Sequence, residues 1–298
     1  MGLKTPVVIL SYKRPDALRQ VLASCPDDRS YLFVSDGWKS DLDKPLVLKC
    51  RELFSGFHTR STKEMLFRDK NLGGPVGIPD ALDFASKIFD YFIVLEDDTV
   101  PSPLFFDWVD SSIELIGSDS KIGMLSGCNF PEAIKKIKFD QCQLSKFPET
   151  WGWATTSKMW HEVRNTKDQE IFGLDLSKIF PSKKVVQHFE RIRDAQLERE
   201  IWNWDYRLFF AFWSLKYFCL ISPVNLIKNI GFGDDAANMK NKTRHHYLNN
   251  NKLFQTKFMI EDFSTYDWNI FDQVNFNVNH GVGVIDSAKS FIKKLIKS

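Results

Sequence analysis

The strongest constraint on this chain is a repeated pairing of a short apolar run with a following stretch of helical periodicity. Pro6-Val7-Val8-Ile9-Leu10-Ser11 is such a run, and Pro15 then stands where a first helical turn begins. Tyr31-Leu32-Phe33-Val34-Ser35 ends at Asp36-Gly37, and Lys44 to Phe54 carries apolar residues at helical spacing. Glu64-Met65-Leu66-Phe67 reads as a third strand, followed by the turn-rich Asn71-Leu72-Gly73-Gly74-Pro75 and a helical pattern from Ile78 to Phe89. Tyr91-Phe92-Ile93-Val94-Leu95 is too short for most helices and is bounded by acids, which suits a central parallel strand buried on both faces. It delivers the chain to Glu96-Asp97-Asp98.

This alternation predicts an α/β fold: a mixed, mostly parallel sheet with right-handed crossovers, flanked by helices. Such sheets bind ligands outside the carboxyl ends of their strands. Ser11, Asp36 and Glu96-Asp97-Asp98 all fall at those ends, so they gather on one edge. Beyond Asp98 the pattern loosens. Pro103 to Ile116 reads as helix, Ile122-Gly123-Met124-Leu125 as strand, and the aromatic-rich stretch Phe147 to Trp160 as irregular.

At 298 residues the chain suits one large domain, expected over residues 1–286, with residues 1–100 binding the ligand at the sheet edge and 101–286 building the second substrate's side. Its 40 Lys and Arg against 38 Asp and Glu leave no global field for nucleic acid, which is excluded as a partner. Cys25, Cys50, Cys128, Cys142 and Cys219 are scattered without zinc or redox spacing and read as buried apolar residues. The first ten residues lack a basic region followed by a long apolar run, and no apolar stretch reaches membrane-spanning length, so the expected setting is the cytoplasm. Residues 287–298 set Phe291, Ile292, Leu295 and Ile296 opposite Lys289, Lys293, Lys294 and Lys297. A basic amphipathic helix of this kind either packs on the domain, the commoner case, or touches anionic lipid as a peripheral contact at the inner face of a membrane.

Carboxylates directly after a buried strand suit a hard divalent cation, Mg²⁺ or Mn²⁺, and such ions also bind diphosphates. The plainer reading of Glu96-Asp97-Asp98 is a solvated turn before the helix that starts near Pro103. Here the sequence resembles a known family. Val94-Leu95-Glu96-Asp97-Asp98-Thr99-Val100-Pro101-Ser102-Pro103-Leu104-Phe105-Phe106 is similar to the acidic metal-site segment of GT-A glycosyltransferases, the Rossmann-like nucleotide-diphospho-sugar transferases. In particular it resembles bacterial family 2-like sugar transferases and animal N-acetylglucosaminyltransferase I. Further matching pieces follow in order: Val34-Ser35-Asp36-Gly37, Asn71-Leu72-Gly73, Trp151-Gly152-Trp153-Ala154-Thr155, Trp204-Asp205-Tyr206 and Asn229-Ile230-Gly231-Phe232-Gly233. Together they span roughly residues 5 to 240; the combination is specific to the bacterial group, while each piece alone is weak.

The resemblance implies a metal-dependent transfer of a sugar from a nucleotide-sugar donor to a hydroxyl of a saccharide or glycan acceptor. Asp98 would ligate the cation, with Asp97 and Glu96 contacting the donor's ribose, sugar or metal-bound water. Asp36 would hold the nucleobase, Ser11 and Arg14 would meet the base or diphosphate, and Asn71 would contact the donor. Inversion needs a general base for the acceptor hydroxyl. Asp205 is the candidate, because the indoles of Ile201-Trp202-Asn203-Trp204-Asp205-Tyr206 would desolvate it and raise its pKa. Its plainer role is to cap a helix over Tyr206–Leu215. Trp151, Trp153, Trp160, Trp202 and Trp204 suit pyranose rings as well as a core; Trp153 or Trp151, beside small Gly152 and Ala154, is the expected exposed one. One departure stands out: related bacterial sequences often carry a histidine after Gly-Phe-Gly, where this chain reads Gly233-Asp234-Asp235-Ala236-Ala237-Asn238. Asp234, Asp235, His245, His246 and His280 are the substitutes within the sequence.

Three alternatives compete. A sugar nucleotidyltransferase shares the sheet and metal, but Ser11-Tyr12-Lys13-Arg14-Pro15 has no glycine to close backbone amides around a triphosphate. A glycoside hydrolase needs two carboxylates flanking a bond rather than acids clustered on one strand. A non-catalytic binding protein would keep the fold without turnover.

Overall fold

In the computed structural model of this chain the described residues are 4–117, 121–135, 141–199, 203–231 and 270–279, and of 133–135 the backbone alone is described. β1 (Val7–Ser11) is buried along its length, and Pro15, with its φ preset and no amide to lose, opens α1 (Pro15–Ala23). β2 (Tyr31–Ser35) leads to α2 (Lys44–Gly56), and β3 (Lys63–Phe67) to α3 (Gly74–Ile88). α3 begins a turn before the expected Ile78, because Pro75 sits in its first turn as a helix starter and not as a breaker. β4 (Tyr91–Glu96) and the short β5 (Thr99–Pro101) precede α4 (Pro103–Ser112), after which Ile113–Leu115 tightens into a 3₁₀ turn.

The second half contributes β6 (Ile122–Ser126), α5 (Phe130–Lys135), β7 (Gln143–Ser145), β8 (Trp153–Thr156), α6 (Ser157–Asn165), α7 (Asp168–Phe172), α8 (Lys183–Glu198) and α9 (Trp204–Leu215). β9 (Phe218–Ile221), β10 (Ile227–Asn229) and α10 (Ile270–Asn279) complete the described strands and α-helices. The main sheet has the order β3-β2-β1-β4-β8-β6-β9-β7. β1, β2, β3, β4, β6 and β9 run one way, and β7 and β8 oppose them. This is the mixed, mostly parallel sheet flanked by helices that the strand–helix alternation predicts.

The stretch Phe147 to Trp160 is not irregular. It holds β8, which pairs antiparallel with both β4 and β6 in mid-sheet. Four residues between Gly152 and a helix give too short a run to register as periodicity. Gly152 has φ +63, and a Cβ there would lie 2.2 Å from Ile227 Cδ1, so the tight turn into β8 needs glycine.

Successive strands β1, β2 and β3 step outward, and α3 then carries the chain back to β4 on the far side of β1. With right-handed crossovers this reversal puts α3 on the face opposite α1 and α2. α1 and α2 pack on each other, while α3 packs against α6 and α9. The reversal lies between β1 and β4, the switch point at whose carboxyl edge open α/β sheets leave a crevice. α10 docks on the second half with Phe271, Val274 and Phe276 buried. Its Asp272 accepts bonds from Ser145 Oγ at 2.6 Å and the Lys146 amide at 3.0 Å. Among the described residues no helix is long and apolar enough to cross a membrane. The basic segment 287–298 lies outside the described residues.

Candidate functional site

Ser11 ends β1 and Glu96 ends β4, and because Leu10 pairs in parallel with Glu96, the residues that follow emerge side by side. Ser11, Asp97 and Asp98 are all buried at this edge, with Ser11 beside the Asp97 carboxylate. The Tyr12 amide donates to Asp97 Oδ2 at 3.1 Å. Arg14 Nη1 lies 2.5 Å from Asp98 Oδ2 and 3.8 Å from Asp97 Oδ1. The structure therefore brings Ser11, Arg14, Glu96, Asp97 and Asp98 together. It sets the Arg14 guanidinium into the acids, rather than leaving it directed away toward a base.

The acids strain against one another. Burial, then the charges of Asp98, Asp97 and Asp205, push Glu96 well above the usual carboxylate range. Burial and Asp98 raise Asp97, opposed by the Tyr12 amide and by Arg14, and burial raises Asp98 against the pull of Arg14. Three carboxylates thus meet with one guanidinium among them, and the charge of Asp205 reaches Glu96 as well, an arrangement short of positive charge.

The match at Asn229-Ile230-Gly231 belongs to the same site. β10 pairs antiparallel with β5, setting Asn229 opposite Thr99, and the Ile230 amide donates to the Asp98 carbonyl at 2.8 Å. Gly231 passes so close that a Cβ on it would stand 1.9 Å from Asp98 Oδ2. Gly233, Asp234, Asp235, Asn238, His245, His246 and His280 lie outside the described residues.

Asp36 and Asn71 meet each other's loops. The Asp36 carboxylate accepts from the amides of Gly37 at 3.0 Å, Leu72 at 3.1 Å and Gly73 at 3.0 Å, and Asn71 Nδ2 donates to the Gly37 carbonyl at 2.9 Å. These bonds hold the loop after β3 against the loop after β2, directly before α3. Asp43 was not legible in the sequence, since no periodicity or motif marks it. Lys13 Nζ at 2.7 Å, Tyr12 Oη at 2.9 Å and Ser40 Oγ at 3.0 Å all donate to it. Lys13 and then Tyr12 hold its carboxyl down to about 2, and the cluster ties the first loop to the second.

Asp205 lies in the first turn of α9, which begins at Trp204, and accepts from the Tyr206 amide at 2.8 Å; the N-cap position itself belongs to Asn203. Burial raises its carboxyl, and its charge reaches Glu96. Trp204 stacks on Trp153 with ring centroids 6.3 Å apart at 22°. Trp153 is only 1 % exposed and Trp160 3 %, so Trp153 is a core residue and not a sugar platform. Trp151 and Trp204 are half-buried, and Trp202 lies outside the described residues. The reason is β8: a central strand turns Trp153 into the packed layer.

No group of three His, Cys, Asp or Glu side chains among the described residues is arranged to hold a metal. Mg²⁺ and Mn²⁺ need less protein than that, since they keep waters and share one or two carboxylates with substrate phosphates. Asp98, with Asp97 beside it, fits such a cation, in the place Arg14 now fills.

No protein-family profile matches the chain, and no curated protein matches it. Solved structures give weak likenesses. HddC from Yersinia pseudotuberculosis is 12% identical with a TM-score of 0.32, over 52% of this chain and 77% of that one. A protein named as a glucose-1-phosphate thymidylyltransferase from Bacillus anthracis, in complex with sucrose, is 13% identical with a TM-score of 0.30, over 59% of this chain and 81% of that one. The second name denotes nucleotidyl transfer, the alternative weighed above, and neither names glycosyl transfer. At these TM-scores neither likeness carries an argument about this chain's reaction.

Proposed function

We propose that this protein is an enzyme acting on nucleotide-activated sugars, and that it passes the sugar from a nucleoside diphosphate to a hydroxyl of a glycan acceptor with inversion. The proposed setting is polysaccharide or glycoconjugate synthesis in the cytoplasm. The observation that supports this reading is the gathering of Glu96, Asp97 and Asp98 at the β1/β4 switch point with Arg14 among them, with the charge of Asp205 reaching Glu96. Such a cluster calls for a divalent cation and offers a separate carboxylate for proton transfer.

A divalent cation bound there supplies Lewis-acid stabilisation of the departing diphosphate. Asp98 would hold it, and Asp97 is kept in place by the Tyr12 amide. The loops tied by Asp36, Asn71 and Asp43 form the seat of the nucleoside, with Ser11 at its floor. Arg14, on a loop and 23% exposed, turns from Asp98 to the phosphates. Asp205, its pKa raised by burial, takes the proton of the acceptor hydroxyl as the new glycosidic bond forms and the bond to diphosphate breaks. Against nucleotidyl transfer, the first loop has no glycine, and its Tyr12 amide is already spent on Asp97.

The test combines thermal shift with UDP, GDP, CDP and their sugar conjugates, with and without Mn²⁺, and product analysis. Metal-dependent stabilisation by one nucleotide, lost in Asp98→Ala, with nucleoside diphosphate released on addition of a glycan acceptor, is the expected result. Release of pyrophosphate from a nucleoside triphosphate and a sugar 1-phosphate would move the assignment to nucleotidyl transfer. Absence of both reactions in folded protein would leave a binding protein.

A further inference from the structure

α3, α6 and α9, closed at one end by α7, enclose a cleft of about 330 Å³. Two of its walls start at the edge that carries Asp98. α3 starts after the carboxyl end of β3, and α9 feeds β9, which runs with β4, so both helices begin at that edge. α6 leaves the opposed strand β8, so its last turn arrives at the same edge. Trp204 and Arg207, three residues apart on α9, share a face that lines the cleft, and Asp205 lies in the same turn. The volume falls within the range of ligand pockets, about 300–1,000 Å³.

The walls combine Trp160 and Trp204 with two arginines, Arg164 from α6 and Arg207 from α9. Arg164 grips Asp83 of α3 through Nε and Nη2, and Arg207 holds the Thr166 carbonyl at 3.0 Å and Asp168 at 3.2 Å through Nη2 alone. Arg164 Nη1 and Arg207 Nε and Nη1 carry no hydrogen bond among the described residues. Helix pinning therefore accounts for part of each fork only. Burial, and to a lesser degree the charge of Arg164, lowers Arg207 against the pull of Asp168. Each arginine already has one carboxylate partner, Asp83 for Arg164 and Asp168 for Arg207, and the donors left over face solvent-reached space, where an anion entering the cleft displaces only water. The Asp168 carboxylate is 59% exposed and touches Arg207 once, at 3.2 Å, so most of that fork stays open to the cleft.

We propose that this cleft binds an anionic saccharide unit, its ring against Trp204 and its negative group on Arg164 and Arg207, so that the acceptor of the transfer proposed above is an acidic glycan. The proposal rests on that reading for the word acceptor. Carboxylate and phosphate share the chemistry that two guanidiniums recognise, and uronic acids and phosphorylated sugars are its two sources.

The probes are methyl β-D-glucuronide, glucose 6-phosphate and the neutral methyl β-D-glucoside, added without nucleotide or metal while the ¹⁵N indole resonances of Trp160 and Trp204 are followed. The expected result is saturable movement of these resonances by an anionic sugar and not by the neutral one, with the tighter of the two anions naming the source. Arg207→Gln is expected to weaken the response about tenfold or more, the size of a lost charge-assisted bond, and Arg207→Lys to weaken it less. Equal movement by the neutral glucoside, no movement by either anion, or an undiminished response in Arg207→Gln each overturns the proposal. Nucleotide binding is read separately on the same wild-type protein. An anion response without nucleotide binding would therefore sink the transferase reading and leave the site standing, and the reverse result would do the opposite.

Discussion

Arg14 Nη1 lies 2.5 Å from Asp98 Oδ2, so the carboxylate proposed to hold a divalent cation is engaged by the protein's own guanidinium. A divalent cation held by Asp98, as proposed, would compete with the Arg14 guanidinium for that carboxylate. Arg14 offsets part of the charge of the buried Asp97 and Asp98, and would be released toward phosphates if a cation took its place.

It follows that Arg14→Met binds Mn²⁺ more tightly than wild type when no nucleotide is present. A hydrogen bond to a charged group is worth about 1.5–3 kcal/mol, so the gain is on the order of ten- to a hundred-fold in Kd. The same variant binds nucleoside diphosphate more weakly. Titration calorimetry with Mn²⁺ alone and then with nucleotide checks both halves, and equal Mn²⁺ affinity in the two proteins would refute the exchange.

Gly231→Ala puts a methyl group 1.9 Å from Asp98 Oδ2, a distance that forces the carboxylate or the β10 exit to move. The expected cost is about 1–3 kcal/mol of stability, as for other overpacked sites, with a far larger loss in metal and nucleotide binding. Denaturant midpoints and thermal shifts measured side by side separate the two. A variant that loses stability but keeps full Mn²⁺ binding would place Gly231 outside the site.

The first half of the sheet and its acidic edge were legible because each strand there is a distinct apolar run closed by a polar residue. Val7–Ser11, Tyr31–Ser35 and Tyr91–Glu96 fall within a residue of where the pattern puts them. β8 was hidden, because Trp153–Thr156 is four residues long and its place between β4 and β6 depends on strands far away in sequence. The acids at the edge could be read, but not what satisfies them. That Asp36 serves the amides of Leu72 and Gly73, or that Asp43 gathers Tyr12, Lys13 and Ser40, follows from loop conformations that no periodicity encodes.

Glu149 is a buried acid that the proposed reaction does not use. Burial pushes its carboxyl up to about 8, against the opposing bonds from Asn275 and Asn279 of α10. A folded-state pKa raised above the unfolded value of about 4.3 means that the folded protein keeps a proton the unfolded chain has released. Its stabilising contribution is complete below the unfolded pKa and is lost as pH rises toward 8, at a slope of at most about 1.4 kcal/mol per pH unit. Glu149→Gln, which keeps an acceptor for Asn275, is expected to flatten the fall in stability between pH 5 and pH 8 relative to wild type. Chemical denaturation across that range tests it, and parallel curves for the two proteins would show that Glu149 does not titrate there.

Asp205→Asn separates the two roles open to that residue. The amide oxygen can still accept from the Tyr206 amide, so α9 and overall stability should change little if Asp205 serves only the helix start. If it is the base, the variant binds metal and donor as wild type does, yet its kcat falls by about 10²–10⁴. The pH profile carries a second signature. Because burial raises its carboxyl, wild-type kcat/KM should fall as pH drops through a pKa above the ordinary carboxylate range, and that acidic limb should be missing from the residual activity of the variant. An unchanged kcat would return Asp205 to the helix and leave the acceptor's proton to Glu96, the other carboxylate whose raised pKa suits it to take one.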